Sequence, residues 1–277
     1  MALALGVGLA NLANSHCHQL ASQGWVQLPV SAELKAWQNH ALPLALQCMQ
    51  ARDLQHWWRY QKTWFVGVNA LSNDSTGALD TGPSLPTGLL KQLTDYVACT
   101  RLDLDQAQVS ACMPGYPKAS PNEPTTSFAF RNTYFAAHMD GLHPLGLQRR
   151  RHLVEQHSFI LGIPLSKHLP EAGPVMVWPG SHKLVQAWLQ SELGHLPAEQ
   201  WQDVDLTASY QTMRQQVLAS MQPVPIHAPL GGAYLIHRHA IHGQGHWPEN
   251  IANVGDNGRI IAYFRPCLHT AQNWLRS

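Results

Sequence analysis

The chain has 277 residues and a net charge of +1 with its histidines neutral, and charged residues make up only 13% of it. This balance excludes the basic excess of a nucleic-acid-binding protein and the acidic excess of a solvating tail. A hydrophobic fraction of 45% and ten tryptophans exclude wholesale disorder and predict a packed core. Histidine is the outlier, with 17 residues, and its abundance makes a metal site a hypothesis to examine.

The cysteines and the apolar start of the chain bear on the cellular compartment. The five cysteines are odd in number and form no Cys-x-x-Cys pair, which favours a reducing compartment, so we expect a cytoplasmic protein. Residues 1–15 resemble the apolar part of a signal peptide, but no lysine or arginine precedes Lys35. We therefore expect an N-terminal helix or strand packed on the domain. No run reaches the ~18 apolar residues of a membrane span, and no membrane partner is expected.

The first half of the chain is predicted to be rich in helices. Residues 31–50 have a helical pattern in which Ser31 is placed as the N-cap and Pro43 is expected to kink or interrupt the helix. Its apolar face is predicted to contain Leu34, Trp37, Ala41 and Leu44. Further predicted elements are a buried strand at 62–70, a loop at 71–86, a helix at 87–99 and a polar loop at 113–125.

Strand patterns dominate from residue 128 onward. Short runs rich in β-branched and aromatic residues, separated by Gly/Pro turns, lie at 128–138, 157–165, 174–178, 232–237 and 259–265. One helical insertion is predicted at 183–221. Such spacing indicates an antiparallel sandwich or barrel. We predict a single domain over 1–277, with a helix-rich part at 1–124 and a β-core at 125–277.

A pair of metal-ligand residue types ends the first predicted core strand. His138 and Asp140 flank Met139, and residues i and i+2 of a strand point to the same face. One imidazole and one carboxylate aimed at one point are two thirds of the 2-His-1-carboxylate triad of non-haem Fe(II) oxygenases. Taken alone, the triplet is equally compatible with a surface turn before Gly141.

A histidine-rich segment follows about a hundred residues later along the chain. It begins as the Gly-led apolar strand at 232–237 and offers a third ligand, to be chosen from His237, His239, His242 and His246. Arg259 then opens the next predicted strand. An arginine there suits a dicarboxylate cosubstrate, because its rigid, always-charged fork matches a carboxylate better than lysine does.

Together these motifs resemble the phytanoyl-CoA dioxygenase-like branch of the Fe(II)/2-oxoglutarate-dependent oxygenases. The resemblance rests on His138-Met139-Asp140, on the PGSH stretch after Trp178, on the Gly-led strand that ends in Ile241-His242-Gly243, and on Arg259. All four occur in the family's order, and they span residues 125–266. The set is fairly specific, although each piece alone is not.

The resemblance implies a fold, a ligand set and a reaction. The implied fold class is α+β, with a double-stranded β-helix (jelly-roll) core and with N-terminal and inserted helices packed outside it. His138, Asp140 and His242 correspond to the family's iron ligands, and Arg259 to the arginine that binds the distal carboxylate of 2-oxoglutarate. Fe(II), 2-oxoglutarate and O₂ are the implied cofactors, and hydroxylation of a small molecule is the implied activity.

Two departures from the family pattern bear on the cosubstrate. The family often has Ser or Thr two residues after the distal histidine, where this chain has Gln244. Arg259 follows His242 by 17 residues, a longer separation than is common in the family. A longer turn at 249–258 can absorb the difference. These departures concern cosubstrate contacts rather than the iron ligands.

Several further residues are site hypotheses of lower weight. If 128–138 is a strand, Asn132 and Tyr134 share a face with His138 and line the barrel, where Asn132 is a second cosubstrate residue and Tyr134 a substrate residue. Trp178 is expected to border the substrate pocket, although a buried tryptophan is usually part of a core. We expect His237, His239 and His246 to lie outside the ligand set.

The substrate is expected to be a small molecule of unspecified identity. The loop at 141–156 and the insertion at 183–221 are predicted to form its entrance. The run Arg149-Arg150-Arg151 lies in that loop, so the substrate is expected to be anionic unless the run is only a solvated turn. The sequence predicts no nucleic-acid partner and leaves the oligomeric state open.

Other functions stay open at the level of sequence. A halogenase is disfavoured because related halogenases replace the carboxylate ligand with a small residue, whereas Asp140 is present here. A non-catalytic jelly-roll module with a metal is an alternative, but it has no need of Arg259. A cupin-type dioxygenase that does not use 2-oxoglutarate is another, and the surplus histidines near His242 keep it open.

Overall fold

A computed structural model of the chain describes residues 15–99, 102–255, 257–268 and 274–275. The prediction for the apolar start therefore lies largely outside the described residues. The helices are α1 (15–23), α2 (Ala32–Gln50), α3 (Thr87–Tyr96), α4 (Thr125–Tyr134), α5 (Ser181–Leu193) and α6 (Thr207–Ser220). Two 3₁₀ turns span Arg52–Trp57 and Ala198–Asp203.

Twelve strands are described, and all of their pairings are antiparallel. They are β1 (Trp25–Leu28), β2 (Trp58–Arg59), β3 (Trp64–Gly67), β4 (Gln108–Cys112), β5 (Leu142–Leu145), β6 (Arg150–Leu153), β7 (Phe159–Pro164), β8 (Val175–Val177), β9 (Val224–Ile226), β10 (Ala233–His237), β11 (His242–Gln244) and β12 (Arg259–Phe264). The order in the large sheet is β1-β10-β7-β12-β4-β3-β2, and in the small sheet β11-β8-β9. A separate hairpin pairs β5 with β6.

The large sheet divides its side chains between two environments. Along β12, for example, Ile260, Ala262 and Phe264 pack into the main core, whereas Ile261 joins a cluster on the other face. The main core also holds residues of α2, including Trp37 and Ala41. This alternation follows from the two-residue period of a strand. One face of the large sheet is therefore closed by helices, and the other faces the small sheet.

The two sheets face each other across a second apolar cluster. Ile160 of β7 and Ile236 of β10 meet Val175 and Val177 of β8 there. On the outer side of the small sheet, Met176 packs with residues of α5 and α6 such as Leu189. The predicted insertion at 183–221 is thus helical, as expected, and it covers the small sheet from outside.

Most predicted elements are present in the structure. The Ser31 hydroxyl caps α2 by accepting a hydrogen bond from the Leu34 backbone N–H at 3.0 Å. Leu34, Trp37 and Ala41 are buried as predicted, and Leu44 is half-buried. The helix α2 continues through Pro43, so this proline does not interrupt it. The strands predicted at 62–70, 157–165, 174–178, 232–237 and 259–265 correspond to β3, β7, β8, β10 and β12.

The strand predicted at 128–138 is wrong. Residues Thr125–Tyr134 form α4, which ends where Phe135 and Ala136 adopt positive φ values of 55°. The aromatic residues that suggested a strand pack at helical spacing instead: the Phe130 and Tyr134 rings lie 5.5 Å apart, one turn from each other. The Arg131 guanidinium lies 3.5 Å from the Tyr60 ring and fastens the helix to the β2–β3 turn.

The boundary drawn at residue 124 does not separate helices from the β-core. Strands β1 to β4 precede it and supply four of the seven strands of the large sheet. The sequence pattern does not reveal β1, β2 and β4, because these strands are short and lie between helices. Within the described residues, no helix combines the length and apolarity needed to cross a membrane.

Candidate metal centre

His138 and His242 lie directly opposite each other on two adjacent extended segments. The His138 backbone N–H donates to the His242 carbonyl at 2.9 Å, and the His242 N–H donates back to His138 at 3.0 Å. Through this isolated bridge, His138 pairs with β11 on the edge opposite to β8 and so adds one residue to the side of the small sheet. The two imidazole rings consequently lie side by side, with centroids 4.5 Å apart.

Asp140 reaches the same point because the extended backbone alternates around Met139. The Met139 side chain is buried in the core beneath α6, whereas His138 and Asp140 point the other way. His138 and Asp140 therefore point to the same side, as the i, i+2 spacing predicts, although the strand predicted at 128–138 is not present. Gly141 follows with a φ of +88°, and a Cβ there would lie 2.2 Å from the Glu155 carbonyl oxygen. Only glycine fits this turn.

The ligand atoms of His138, Asp140 and His242 all lie within 4.8 Å of one another. Asp140 Oδ1 is 3.3 Å from His138 Nε2 and 3.6 Å from His242 Nε2. Among the described residues this is the sole group of three or more His, Cys, Asp or Glu side chains so arranged. The structure therefore brings together the three residues that the sequence singled out, and no other histidine among the described residues joins them.

Backbone carbonyls fix the protonation of both imidazoles. His138 Nδ1 lies 2.9 Å from the Ala136 carbonyl oxygen, and His242 Nδ1 lies 3.0 Å from that of Ala240. A carbonyl oxygen can only accept, so each Nδ1 must carry a hydrogen, and in the neutral ring each Nε2 then presents the lone pair. Metal-binding histidines are commonly oriented in this way by a bond from the second ring nitrogen.

The charge of the three side chains is set by their mutual proximity. Burial would raise the pKa of the Asp140 carboxyl, but His242, His138 and the Arg265 guanidinium more than offset it and hold that pKa well below its usual range. Burial would lower the pKa of His242, but the Asp140 carboxylate outweighs it and raises that pKa. The Asp140 carboxylate is therefore negatively charged and attracts positive charge into the space between itself and the two imidazoles. A divalent cation bound there would supply that charge.

The three side chains open into a cavity of about 200 Å³ between the two sheets. Its apolar wall is formed by Trp64, Val66, Ile160, Val175 and Ile236. Its polar groups are the triad, Gln108 and Ser110 of β4, Gln244 of β11, Tyr263 of β12 and Arg265. A mostly apolar pocket with a few converging polar groups is the usual form of a small-molecule site.

Arg259 lies behind the cavity wall and contacts it through Gln244. Its side chain is buried, with 1% of the residue exposed, and Nη2 donates to Gln244 Oε1 at 2.5 Å. Nε and Nη1 of Arg259 are buried without a hydrogen-bond partner in the described part of the chain. Burial would lower the pKa of Arg259, but Tyr263, Cys112 and Tyr234 outweigh it and raise that pKa. A charged guanidinium with unused donors is a natural partner for a carboxylate.

A second arginine, which the sequence analysis missed, touches the triad itself. Arg265 Nη1 lies 3.4 Å from Asp140 Oδ2, and the Arg265 side chain forms part of the cavity wall. Gln108, Ser110 and Trp64 were also missed, since they belong to strands of the first half of the chain. Arg265 could have been found, because it continues the face that Arg259 and Tyr263 share at a spacing of two residues.

Three lower-weight site predictions are not borne out by the placement of the residues. Asn132 and Tyr134 are exposed on α4 and do not line the cavity, because a helix does not keep residues 132, 134 and 138 on one face. Trp178 is buried in the core with α5 and α6, and its ring lies 6.4 Å from that of Phe135. It serves packing and does not border the cavity.

The remaining histidines near His242 form a separate group. His182, His237 and His239, here called the inner histidine cluster, are buried, with ring centroids of neighbours 4.8 and 5.3 Å apart. Burial lowers the pKa of all three side chains, and they contact no carboxylate in the described structure. His246 packs against Phe135, at 5.0 Å between rings. None of these side chains reaches the triad.

The basic run at 149–151 lies on the β5–β6 hairpin. Arg150 Nη1 is 3.5 Å from Asp205 Oδ2, and Arg151 Nη1 donates to the Leu142 carbonyl at 3.2 Å. Arg149 is exposed at the turn. None of the three arginines lines the cavity. Their predicted role in drawing in an anionic substrate stays a prediction.

The chain matches no protein-family model and no curated protein. Among solved structures it is similar to EvdMO1, with a TM-score of 0.52 and 14% identity over 93% of this chain and 50% of EvdMO1. It is also similar to the epimerase SnoN, crystallised with Fe³⁺, alpha ketoglutarate and nogalamycin RO, with a TM-score of 0.51 and 14% identity over 93% of this chain and 84% of SnoN.

These likenesses concern the fold. The chain spans about half the length of EvdMO1 and most of SnoN. It is a mixed helix and antiparallel-sheet protein that shares its fold with an epimerase crystallised with Fe³⁺ and alpha ketoglutarate, and a His-Asp-His group lies between its sheets.

Proposed function

We propose that this chain is an Fe(II)/2-oxoglutarate-dependent oxygenase that hydroxylates a small molecule. One observation carries the proposal. The Nε2 atoms of His138 and His242 converge on Asp140 Oδ1, with both Nδ1 atoms committed to backbone carbonyls and the group opening into a cavity. The proposed branch is the phytanoyl-CoA dioxygenase-like one, on the motifs described above.

The donor set suits Fe(II). Two neutral imidazoles and one carboxylate on one face are the ligands of non-haem Fe(II) enzymes, and they leave positions for other molecules. When bound, the iron would activate O₂ and couple the decarboxylation of 2-oxoglutarate to succinate with the oxidation of a C–H bond. The chain contributes the orientation of the ligands and a largely apolar cavity that limits water.

The spacing of Gln244 and His242 supports 2-oxoglutarate as the cosubstrate. They are two residues apart on β11, roughly 6–7 Å along an extended strand. A five-carbon diacid spans a similar length. With its keto-acid end at the triad, its far carboxylate would reach the guanidinium of Arg259, which has unused donors at Nε and Nη1. Gln244 replaces the Ser or Thr of the family pattern by accepting directly from Arg259.

The path of the chain between the sheets supports a jelly-roll core. From β7 onward the chain moves from the large sheet to β8 and β9 of the small one, back to β10, across to β11 and back to β12. Such alternation between two facing antiparallel sheets is the winding of a jelly roll. A single domain over 1–277 and a cytoplasmic location complete the proposal.

The alternative functions find less support. A cupin-type site would draw on more histidines, but the inner histidine cluster lies apart from the triad. A binding module without a cosubstrate gives no reason to bury the charged Arg259 with two unused donors. Asp140 fills the carboxylate position, which argues against halogenation.

The proposal is tested by succinate formation and by a matched pair of keto acids. The Fe(II)-loaded protein should form succinate from 2-oxoglutarate in air, and the metal-free protein should not. Under anaerobic calorimetry, 2-oxoglutarate should bind at least about tenfold more tightly than 2-oxopentanoate, which lacks the distal carboxylate. Equal binding of the two acids, or no succinate with Fe(II), would contradict the proposal.

A further inference from the structure

The cavity contains a positive charge that the proposed function does not use. Arg259 and Arg265 lie on one face of the chain, six residues apart. Arg259 is assigned to the cosubstrate. Arg265 also faces the space between the sheets, with 17% of its side chain exposed. A guanidinium in an apolar cavity is costly unless its donors are paired, and Asp140 engages only Nη1 of Arg265.

The backbone of Arg265 is held from both sides. Its N–H donates to Asp105 Oδ1 at 2.7 Å, and its carbonyl accepts from His157 Nδ1 at 2.8 Å. These bonds fix the direction in which the side chain leaves the strand end. The 3.4 Å contact of Nη1 with Asp140 Oδ2 then holds the guanidinium beside the triad.

The Asp140 carboxylate divides its two oxygens between different partners. Oδ1 faces the two imidazole Nε2 atoms, at 3.3 and 3.6 Å, whereas Oδ2 faces Arg265 at 3.4 Å. A metal held by Oδ1 leaves Arg265 where it is. The 3.4 Å contact is long and engages one of five N–H donors, and Arg265 Nε is buried without a partner among the described residues. The guanidinium keeps donors for a ligand in the cavity.

The surroundings of Arg265 define the kind of ligand that fits. Within the described residues, Arg265 is the sole cationic side chain that lines the cavity, and Asp140 the sole acidic one. The wall is apolar, with Trp64, Ile160 and Ile236 among its residues. A cavity of about 200 Å³ with one guanidinium suits a small molecule that has an apolar body and one anionic group.

The two arginines lie on opposite sides of the triad. Arg259 contacts Gln244, beyond His242, whereas Arg265 contacts Asp140. Six residues of extended chain separate their Cα atoms by roughly 20 Å. A five-carbon diacid anchored at Arg259 and directed at the triad therefore leaves Arg265 to a second anion.

We propose that Arg265 determines substrate specificity by binding the carboxylate of a small carboxylic acid with an apolar body. This inference rests on the proposed function, since it takes the Arg259 side of the cavity to be the cosubstrate site. It places the anion site inside the cavity, in contrast to the hairpin arginines, of which Arg150 already pairs with Asp205.

The test compares acids with their uncharged amides. The probes are 3-phenylpropanoate with 3-phenylpropanamide, and hexanoate with hexanamide. Each is titrated calorimetrically into the full chain loaded with Fe(II) and 2-oxoglutarate under anaerobic conditions, so that no turnover is needed. For at least one pair, the unaltered chain should bind the acid about tenfold or more tightly than the amide.

Three variants locate the preference. Arg265→Gln should reduce it to about twofold or less, and Arg265→Lys should retain part of it, because lysine keeps the charge without the two-pronged fork. The control Arg150→Gln, on the exposed hairpin, should leave it unchanged. Circular dichroism and 2-oxoglutarate binding establish that each variant is folded. If Arg265→Gln does not fold, the preference for acid over amide in Arg265→Lys decides whether Arg265 binds the carboxylate.

Each other outcome has a distinct meaning. If the unaltered chain binds 2-oxoglutarate but prefers neither acid to its amide, the inference about Arg265 is overturned while the proposed function stands. If Arg265→Gln keeps the preference, or weakens 2-oxoglutarate binding instead, Arg265 is not the substrate residue. If the unaltered chain with Fe(II) does not bind 2-oxoglutarate, the proposed function itself fails.

Discussion

Two groups of histidines that both draw members from the segment 237–242 behave as different kinds of site. The triad has two imidazoles, one carboxylate and an adjoining cavity. The inner histidine cluster has three imidazoles and no carboxylate, and it is buried beside Trp274 and the end of α1. His239, which packs against His237 and Trp274, has neither ring nitrogen hydrogen-bonded within the described structure.

The difference shows what distinguishes a metal centre from a histidine-rich core. In the triad, an anion raises the pKa of His242 and attracts a cation. In the inner cluster, burial and the neighbouring Arg238 hold the pKa of His239 well below its usual range, so this side chain stays neutral and resists positive charge nearby. A carboxylate and an open side, rather than the number of imidazoles, make the first group suitable for a metal.

The largest expected effect is that of removing the carboxylate. Asp140→Ala takes away the sole acidic group of the triad, and we expect Fe(II)-dependent succinate formation to fall by more than about 100-fold. The matched change in the inner cluster is His239→Phe, which keeps a ring against Trp274 and should leave the rate within about twofold. A steady-state succinate assay measures both. Comparable losses in the two variants would erase the distinction between the groups.

A glycine next to His242 is expected to matter almost as much as a ligand. A Cβ at position 243 would lie 2.2 Å from the Phe135 carbonyl oxygen, so Gly243→Ala must separate the two segments that hold His138 and His242 opposite each other. We expect a loss of about 1–3 kcal/mol in unfolding free energy and weakened metal binding.

The control for this substitution is Gly88→Ala in α3, where a Cβ meets nothing within 4 Å. That variant should be as stable as the unaltered chain or more so. Denaturant unfolding and metal titration compare the two. If Gly243→Ala binds metal as tightly as Gly88→Ala does, the bridge between the two histidines is not what positions them.

The next effect separates cosubstrate binding from metal binding. Arg259→Lys keeps the charge but loses the rigid fork, so we expect KM for 2-oxoglutarate to rise about tenfold, with kcat at saturation changed much less. Initial rates over a range of 2-oxoglutarate concentrations give both constants, and metal affinity should be unaltered. An unchanged KM would remove Arg259 from the cosubstrate site.

The smallest effect concerns the inner cluster and pH. The pKa of His239 in the folded chain lies well below its ordinary value of 6.5, so unfolding takes up a proton at any pH between the two values. The stability that His239 contributes is therefore complete above pH 6.5 and is lost as the pH falls below it. His239→Phe removes this proton uptake, and its unfolding free energy should decline less steeply in acid.

Denaturant unfolding at a series of pH values from 7 down to 5 measures that slope. The Gly88→Ala variant is the comparison, since it changes no titratable group and its Cβ meets nothing within 4 Å. If His239→Phe and the unaltered chain lose stability in parallel, His239 is not buried in its neutral form.

The triad could be predicted from the sequence because its signals are local. His138 and Asp140 are separated by one residue, and His242 stands beside Gly243, whose lack of a side chain the Phe135 backbone requires. The geometry needed only two short extended segments. It was therefore insensitive to the error over 128–138, where the Phe130–Tyr134 pair within the helix and the contact of Arg131 with Tyr60 favour a helix.

The cavity wall could not be predicted as well, because it is assembled from distant strands. Gln108, Ser110 and Trp64 enter the site through the pairing of β4 with β12 and of β3 with β4. Nothing local in the sequence indicates those pairings. Arg265 differs, since the two-residue period from Arg259 already placed it on the same face. The prediction that Asn132 and Tyr134 line the cavity was wrong because it assumed the two-residue period of a strand, whereas both residues lie on the helix α4.

The central claim is that His138, Asp140 and His242, and not the inner histidine cluster, hold a divalent metal. The most direct measurement is the metal stoichiometry of three proteins, titrated anaerobically with Fe(II): the unaltered chain, Asp140→Ala and His239→Phe. We predict one tightly bound ion per chain in the unaltered protein and in His239→Phe, and none in Asp140→Ala. A full complement of iron in Asp140→Ala, or its loss in His239→Phe, would contradict the account.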